Sequence, residues 1–505
     1  MTQAIQNETR SVRDMLISAK VLAKDGKATE SPCKTCRVPV WVSFFFDDTG
    51  NNKDADATTL SQSNVVALFE AHKQDAEKGI QKFYYEGLGT AFQFDKYSEY
   101  DSSKVAAAYR TKSLKGPIDL TDPQWRKQGY SETGTGKQGK LGLGFALGIQ
   151  QRLQKAIFEL VAYLDEIYQL KGITEINISA FGFSRGATEA RIFMNWLQYA
   201  PNVTSQGAGN AKKLFYRGKP LNAKFLGIFD TVESIGNAAQ NKNPQLYRTR
   251  IEDYIEHSMH LVASLEMRQS FPLTPTGRPS ANKVKELIHD QQVYPGAHSN
   301  VGGGYQPMEQ GRNLGLSRIT LHNMFNRASA YGLKFSTLKE LNSLPERKII
   351  YTKFYAFNSQ WQQDLNNFMV YVKGGSSFEQ QMQSQLALYH QWIREGGYAR
   401  FIHRKTRERI GRKEKITAIT KINDGLFENI RQILNVYAPE GARPYDIIRN
   451  RENKSTLPKE VIHYFENYVC DSVGGFALWA NDFQALLSDG KAPNYLISRG
   501  IVRPT

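Results

Sequence analysis

The stretch INISAFGFSRGATEARIFMNW, residues 176–196, decides the fold, because it joins two kinds of apolar pattern through Gly182-Phe183-Ser184-Arg185-Gly186. The apolar part before the glycine predicts a buried strand, and the part after Gly186 has helical spacing. A G-x-S-x-G pattern between a strand and a helix is typical of a nucleophile elbow. We therefore predict Ser184 as a catalytic nucleophile. A chance run of small residues is the competing interpretation.

The alternation of strand and helix extends to both sides of this stretch. It predicts a mostly parallel α/β sheet flanked by helices, of the α/β-hydrolase type, with ligand sites beyond the carboxyl ends of the strands. Asp47, Asp48, Ser184 and Asp230 are the polar residues that follow predicted strands. We predict strands at 38–46, 82–90, 174–181 and 223–232. We predict the longest helix at 142–172.

The chain divides into three regions by its sequence character. We expect a polar lead-in segment at 1–36, a catalytic core at 37–345, and a helix-rich accessory region at 346–505 that partly returns to the core. In the last region, a capping box from Ser377 to Gln380 opens an amphipathic helix. A basic run with Arg404, Lys405 and Arg407 follows it. One interpretation is a surface that docks on anionic lipid headgroups and acyl chains; the other is a packed helix with a solvated basic face.

Composition restricts the class of protein. The chain has 505 residues, 23% charged and 40% hydrophobic, and no apolar run approaches the roughly 18 residues that span a bilayer. The first residues lack the apolar region of a secretory signal, so we expect synthesis in the cytoplasm and export by a machine that reads no signal peptide. The net charge of +16 suits an anionic partner, either nucleic acid or acidic phospholipid.

Metal and nucleotide sites are disfavoured. Three cysteines are too few for a disulfide scaffold. Cys33 and Cys36 form a single C-x-x-C, and Cys470 is the only other thiol in the sequence. A local disulfide or two idle thiols are therefore favoured over a zinc site. His257 and His260 would share a face only on a helix, and no third ligand is near. The stretch GTGKQGKL, 134–141, lacks the Ser or Thr of a phosphate-binding loop.

A serine nucleophile needs a base and an orienting acid, which follow in the order Ser, Asp, His in α/β-hydrolases. Asp230 ends the predicted strand FLGIFD, although a turn aspartate is the alternative interpretation. His298 lies in VYPGAHSNVGGGY, where consecutive glycines indicate backbone freedom near a ligand. For the oxyanion hole we predict the amide of Arg185, with a second amide from Asp48 or Thr49. This chemistry requires no metal or organic cofactor.

Several separated motifs resemble the Tle1 family of type VI secretion lipase effectors, which are α/β-hydrolases. The resemblance covers about 40–310 and 465–476. It implies that Ser184, Asp230 and His298 form the triad. Two positions depart from the family pattern: Asp48 replaces a glycine, which is expected to alter the oxyanion loop, and Asn300 replaces an aspartate beside the base. The matching motifs are FFFDDTGNN, YYEGLGT, GFSRGATEAR, FLGIFDTVESIG, LVASLEMRQSFPL, YPGAHSNVGGGY and FENYVCDSVGGF.

The resemblance also implies a biological setting. It implies a phospholipase A1 or A2 that attacks membrane glycerophospholipids of a competing bacterium after secretion into the periplasm of the target cell. It further implies a VgrG-type spike partner and a cognate immunity protein, and it favours phospholipid over nucleic acid as the anionic partner. Two alternatives stay open: a serine carboxylesterase that acts on another ester, and a non-catalytic cargo or adaptor protein.

Overall fold

The fold is described from a computed structural model, whose elements are numbered here in chain order. The residues that it describes are 37–94, 130–133, 148–170, 172–235, 247–268, 271–276, 289–375, 377–397, 455–472, 501, 502 and 504. The strands are β1 Arg37–Phe46, β2 Ile80–Tyr85, β3 Ala91–Phe94, β4 Tyr130–Thr133, β5 Gly172–Phe183, β6 Val203–Gln206, β7 Lys213–Tyr216, β8 Lys219–Phe229, β9 Ser258–Ala263 and β10 His289–Tyr294.

Helices connect these strands and continue after the last of them. The α-helices are α1 Asn64–Ala71, α2 Ile149–Leu170, α3 Arg185–Trp196, α4 His298–Gly302, α5 Gly315–Ala330, α6 Leu338–Ser343, α7 Pro345–Ile350, α8 Ser359–Met369, α9 Phe378–Arg394 and α10 Lys459–Tyr468. A π-helical turn, Tyr351–Tyr355, lies between α7 and α8. Among the described helices, none is both long and apolar enough to cross a membrane.

Six strands form a parallel sheet in the order β10-β9-β8-β5-β1-β2, and β7 extends it by antiparallel pairing with β8 and β6. The predicted, mostly parallel α/β sheet is therefore confirmed. Phe46 pairs with Gly182 at the carboxyl ends of β1 and β5, and Phe183 pairs with Phe229 in β8. The residues that follow these three strands consequently meet at one edge of the sheet, where a ligand site is expected.

Period-two alternation in β1 gives the sheet two covered faces. Phe44 points to one face and packs on Phe193 of α3, with ring centroids 4.3 Å apart. Phe45 points to the other face and stacks on Phe181 at 5.1 Å. The first face is covered by α2 and α3, and the second by α1 and α5. Because both faces are buried, the strand reads as a continuous apolar run in the sequence.

The predicted amphipathic helix is α9, and its capping box is present: Ser377 Oγ accepts from the Gln380 amide, and the Gln380 side chain accepts from the Ser377 amide. Its apolar residues Met382, Leu386, Tyr389 and Ile393 are buried in the protein core. The proposed use of this face to reach acyl chains is therefore wrong, because the core already covers it. The basic run with Arg404, Lys405 and Arg407 lies outside the described residues.

Candidate active site

Ser184 stands on a sharp turn between β5 and α3. Its backbone has φ 59° and ψ −120°, a conformation that costs energy for a residue with a side chain and is common at active sites. A hydrogen bond holds the turn against β8: the Ser184 amide donates to the Phe229 carbonyl at 3.0 Å. A Cβ atom on Gly182 would lie 2.2 Å from the Gly186 carbonyl oxygen, and one on Gly186 would lie 2.3 Å from the Asp47 carbonyl oxygen. Both glycines are thus required by close backbone contacts.

Asp230 and His298 form a buried pair beside this turn. Asp230 follows β8, and its Oδ2 accepts a 2.6 Å hydrogen bond from His298 Nδ1. Its other oxygen, Oδ1, accepts from the Ala263 amide at 2.8 Å, which fixes the carboxylate. The ring of Phe183, the residue before Ser184, lies 4.5 Å from the imidazole. The fold therefore joins the residues that the sequence nominates as acid and base, and it places them beside the turn that carries Ser184, without a hydrogen bond between Ser184 Oγ and His298 Nε2.

The second imidazole nitrogen faces the loop after β1. His298 Nε2 and Ser184 Oγ have no hydrogen-bond partner among the described residues. Asp48 Oδ2 lies 3.7 Å from Nε2, which is longer than a hydrogen bond. Burial lowers the pKa of His298, but the carboxylates of Asp230 and Asp48 raise it, and the net shift of this pKa is upward. Nε2 therefore has no hydrogen bond among the described residues that would block it from accepting a proton, and the raised pKa means that the protonated imidazole is stabilised.

Asp47 anchors the loop after β1, a role that the sequence leaves unassigned. Its carboxylate accepts from the hydroxyls of Ser63 and Tyr84, each at 2.6 Å, and from the Asp48 amide at 2.9 Å. Burial raises the pKa of Asp47 to about 7, although these hydrogen bonds oppose the shift. The Thr49 amide donates to Asp48 Oδ1 at 2.5 Å. Both candidate oxyanion amides in this loop are thus bonded to carboxylates, and the oxyanion hole stays a prediction.

The glycines after His298 serve close packing. A Cβ atom on Gly302 would lie 2.1 Å from the Phe183 ring. Gly303 has φ +80°, and a Cβ atom there would lie 2.6 Å from the Asn64 amide nitrogen. The five-residue helix α4, which begins at His298, is therefore pressed against both β5 and α1. The backbone freedom expected of these glycines allows α4, which carries His298, to pack this closely.

Two supporting residues were not assigned a role from the sequence. Glu266 accepts from the His298 amide at 3.3 Å and from the Ser472 hydroxyl at 2.8 Å. Asn300 accepts from the amides of Ala297 at 3.2 Å and Cys470 at 3.0 Å. The segment after α10 thus contacts the loop that carries the base. These residues lie in the motifs LEMRQ, AHSNV and YVCDS, but no local pattern in the sequence predicts that the motifs contact one another.

Within the described ranges, no three or more histidine, cysteine, aspartate or glutamate side chains are placed to hold a metal ion. His260 lies on β9, not on a helix, and bonds to Thr231 and Gln291, so it does not share a face with His257 three positions earlier. Cys470 is a buried free thiol. Cys33, Cys36 and the stretch 134–141 lie outside the described residues.

Comparisons with known proteins identify the family of the chain. The sequence profile of the family "T6SS, Phospholipase effector Tle1-like, catalytic domain" matches residues 42–217 and 199–327, together more than half of the chain. No curated protein matches.

Two of the solved structures that resemble the chain are described here by their fold similarity. "Crystal structure of an uncharacterized protein from Pseudomonas aeruginosa" has a TM-score of 0.51 and 22% identity over 97% of this chain and 67% of that one, a likeness of fold. "Structure of the Tle1 effector bound to the VgrG spike from the Type 6 secretion system" has a TM-score of 0.39 and 15% identity, over 70% of this chain and 84% of that one. On the strength of the profile match, the chain belongs to the Tle1-like family of type VI secretion system phospholipase effectors.

Proposed function

We propose that the protein is a serine phospholipase A in which Ser184, Asp230 and His298 form the catalytic triad. The observation that carries the proposal is the buried Asp230–His298 bond of 2.6 Å next to a serine on a strained strand-to-helix turn. A serine hydroxyl is a weak nucleophile until a base takes its proton, and an imidazole needs an acid to fix its orientation. In this proposal Ser184 is the nucleophile, His298 is the base and Asp230 is the acid.

In the first half of the reaction, His298 Nε2 takes the proton of Ser184 while Oγ attacks the carbonyl carbon of an acyl ester. Asp230 holds the imidazole by Nδ1 and stabilises its positive charge. The carbon–oxygen bond to the glycerol then breaks, and the leaving alcohol takes the proton from Nε2. The products of this half are a lysophospholipid and an acyl group on Ser184.

In the second half, water replaces the alcohol. His298 Nε2 takes one proton from the water as its oxygen attacks the acyl carbon, and the bond to Oγ breaks as Nε2 returns that proton to Ser184. A free fatty acid leaves. For the negative oxygen of both steps, we propose the Arg185 amide at the start of α3. A second donor from Asp48 or Thr49 requires that the amide first release its carboxylate.

The finer biological statements are proposals that rest on the family. We propose that the toxin acts on a competing bacterium, that a VgrG-type spike carries it into the periplasm of the target cell, and that an immunity protein protects the producer. We also propose residues 37–345 as the catalytic unit and 346–505 as an accessory region. Cross-linking mass spectrometry of the full-length protein in complex with the spike tests whether the spike contacts the accessory region.

The Ser184→Ala variant tests the chemistry. We expect purified variant protein to lose hydrolysis of phospholipid vesicles by about 10⁴-fold or more, because a triad without its nucleophile retains only weak residual catalysis. Ser205→Ala, at an exposed serine on β6, is the matched control and should keep full activity. Circular dichroism and thermal melting establish that both variants are folded. Full vesicle hydrolysis by Ser184→Ala would exclude the assignment.

Two further measurements separate the alternatives. A fluorophosphonate probe should label wild-type protein at Ser184 and leave Ser184→Ala unlabelled, whereas an adaptor protein with a silent site would not react. Comparing phospholipid with short soluble esters distinguishes a phospholipase from a carboxylesterase. Mass spectrometry of the products from a mixed-chain phospholipid identifies the ester position that is cut.

A further inference from the structure

A cleft of about 520 Å³ lies beside the glycines that follow His298. Its volume is in the range of small-molecule sites. One wall is the backbone of Gly303 and Gly304; another combines Arg318 of α5 with Lys353 of the π-helical turn. We call it the Arg318 cleft, and its defining residues are Leu60, Gly303, Gly304, Arg318, Ile349 and Lys353.

The two cations of the cleft form no ion pair in the part of the chain that the structure describes, although the charge of Glu70 attracts Lys353 from a longer distance. Neither Arg318 nor Lys353 has a carboxylate within ion-pair distance among the residues that the structure describes. Arg318 donates one hydrogen bond, to the Lys353 carbonyl at 2.7 Å, and both cations flank the ring of Phe354, at 5.8 and 5.2 Å. Burial lowers the pKa of Arg318 to about 10. A partly buried guanidinium beside a second cation is unfavourable unless an anion joins them.

The edge of the cleft is apolar and exposed. Leu60 is 52% exposed and Ile349 is 72% exposed. Leu60 also has φ 57°, a conformation that is uncommon for a bulky residue. Exposed apolar side chains beside two unpaired cations match a ligand with an anionic group and an apolar chain, rather than a free inorganic anion.

The cleft is close to the base. Gly303 and Gly304 directly follow α4, which begins at His298, and a five-residue helix is only about 8 Å long. Asn64, which also lines the cleft, donates to the Val301 carbonyl of the same helix at 2.9 Å. The cleft is therefore joined to the base by one short helix.

We propose that the Arg318 cleft binds the phosphate of the glycerophospholipid substrate, with Arg318 and Lys353 as its ligands and Leu60 and Ile349 against the lipid's apolar part. The inference rests on the proposed phospholipase function, and it adds the residues that select a phosphate-bearing ester over a neutral one. A guanidinium is suited to this role because its fork of donors matches phosphate oxygens.

A binding measurement tests the cleft without turnover. In the Ser184→Ala background, calorimetry would compare monomeric dihexanoyl phosphatidylglycerol with dihexanoylglycerol, which has the same chains and no phosphate. We expect the phospholipid to bind at least about tenfold more tightly, a difference of about 1.4 kcal/mol. Arg318→Gln with Lys353→Gln should abolish this difference. Lys339→Gln with Lys348→Gln removes the same charge from exposed sites outside the cleft and should retain it.

Turnover gives a second readout. With Ser184 restored, the ratio of kcat/KM for the phospholipid to kcat/KM for a neutral short-chain ester should fall at least about tenfold in the Arg318→Gln, Lys353→Gln protein. Because Arg318 also bonds to a backbone carbonyl, urea unfolding would check the fold. Lys353→Gln alone removes no such bond and Arg318→Lys keeps the charge, so these variants should show partial loss.

Three results would overturn the inference: equal binding of the two lipids by the parent protein, unchanged phospholipid binding by the double variant, or inorganic phosphate that binds as tightly as the lipid. Failure of the proposed function gives a different pattern. If wild-type protein hydrolyses no phospholipid but binds it in a phosphate-dependent way that the double variant loses, the cleft stands and the phospholipase assignment fails.

Discussion

Two loops present a carboxylate to the same imidazole, and they do so differently. Asp230, after β8, is fully buried and bonds to His298 Nδ1 at 2.6 Å. Asp48, after β1, is 8% exposed and lies 3.7 Å from Nε2. The first carboxylate is fixed by the Ala263 amide, whereas the second accepts from the amide of its own neighbour, Thr49.

The two carboxylates have opposite effects on His298 as a base: Asp230 orients the imidazole, whereas Asp48 favours its protonated form. A carboxylate on Nδ1 sets the tautomer that leaves Nε2 able to accept the serine proton. A carboxylate near Nε2 instead favours the protonated imidazole, which cannot act as the base. Both loops raise the pKa of His298, but only one of them supports the reaction directly.

The largest effect is expected from Asp230→Asn. The amide cannot hold the tautomer that the reaction needs, so kcat should fall by about 10⁴-fold with little change in fold. Steady-state kinetics on a phospholipid below its critical micelle concentration would measure this. Asp290→Asn, at a carboxylate bonded to Arg327 away from the site, is the matched control. If Asp230→Asn kept more than a tenth of the activity, a different residue would have to orient His298.

A smaller effect is expected from Asp48→Asn, and it appears in the pH profile. The base is active when neutral, so activity is lost as pH falls through its raised pKa. Removing the Asp48 charge removes one cause of that increase, so the pKa falls and the acid limb of kcat/KM moves to lower pH. The rate on the plateau should change by less than about tenfold, because Asp48 makes no hydrogen bond to the imidazole.

Asp54→Asn is the control for this shift. Asp54 lies on the same loop, pairs with Lys53 and has an 80% exposed side chain, so its charge is screened. Its variant should keep the wild-type pH profile. An acid limb that is identical in Asp48→Asn and wild-type protein would show that the Asp48 carboxylate does not act on the base.

The smallest effect on rate is expected from Asn300→Ala, which removes the support of the loop and leaves both carboxylates in place. The amides of Ala297 and Cys470 would lose their acceptor, at a cost of about 1–3 kcal/mol in the free energy of unfolding. Urea denaturation measures this loss, and kcat should fall only a few-fold. Asn300→Asp keeps an acceptor and should recover most of the stability. Equal stability of Asn300→Ala and wild-type protein would contradict this role.

Local patterns in the sequence predicted the elements that place the candidate site. The run before Asp47, the elbow around Ser184 and the strand before Asp230 each depend on residues within one element, so periodicity is sufficient. The helix α9 is a case in which the local pattern does not determine what its apolar face contacts. Its amphipathic pattern predicted the helix and its cap, but the same pattern fits a lipid-facing surface and a buried one, and only the packing of Leu386 and Tyr389 in the core decided between them.

The sequence by itself determined the parallel α/β sheet, the strained turn at Ser184 and the nomination of Asp230 and His298, because each follows from spacing and residue type along the chain. Only the tertiary structure decided which carboxylate faces which nitrogen of His298. It also decided that Arg318 and Lys353, from different elements, share one cleft. The physical reason is that side-chain direction in a loop depends on contacts between residues far apart in sequence, such as Asp47 with Tyr84, and these have no local pattern.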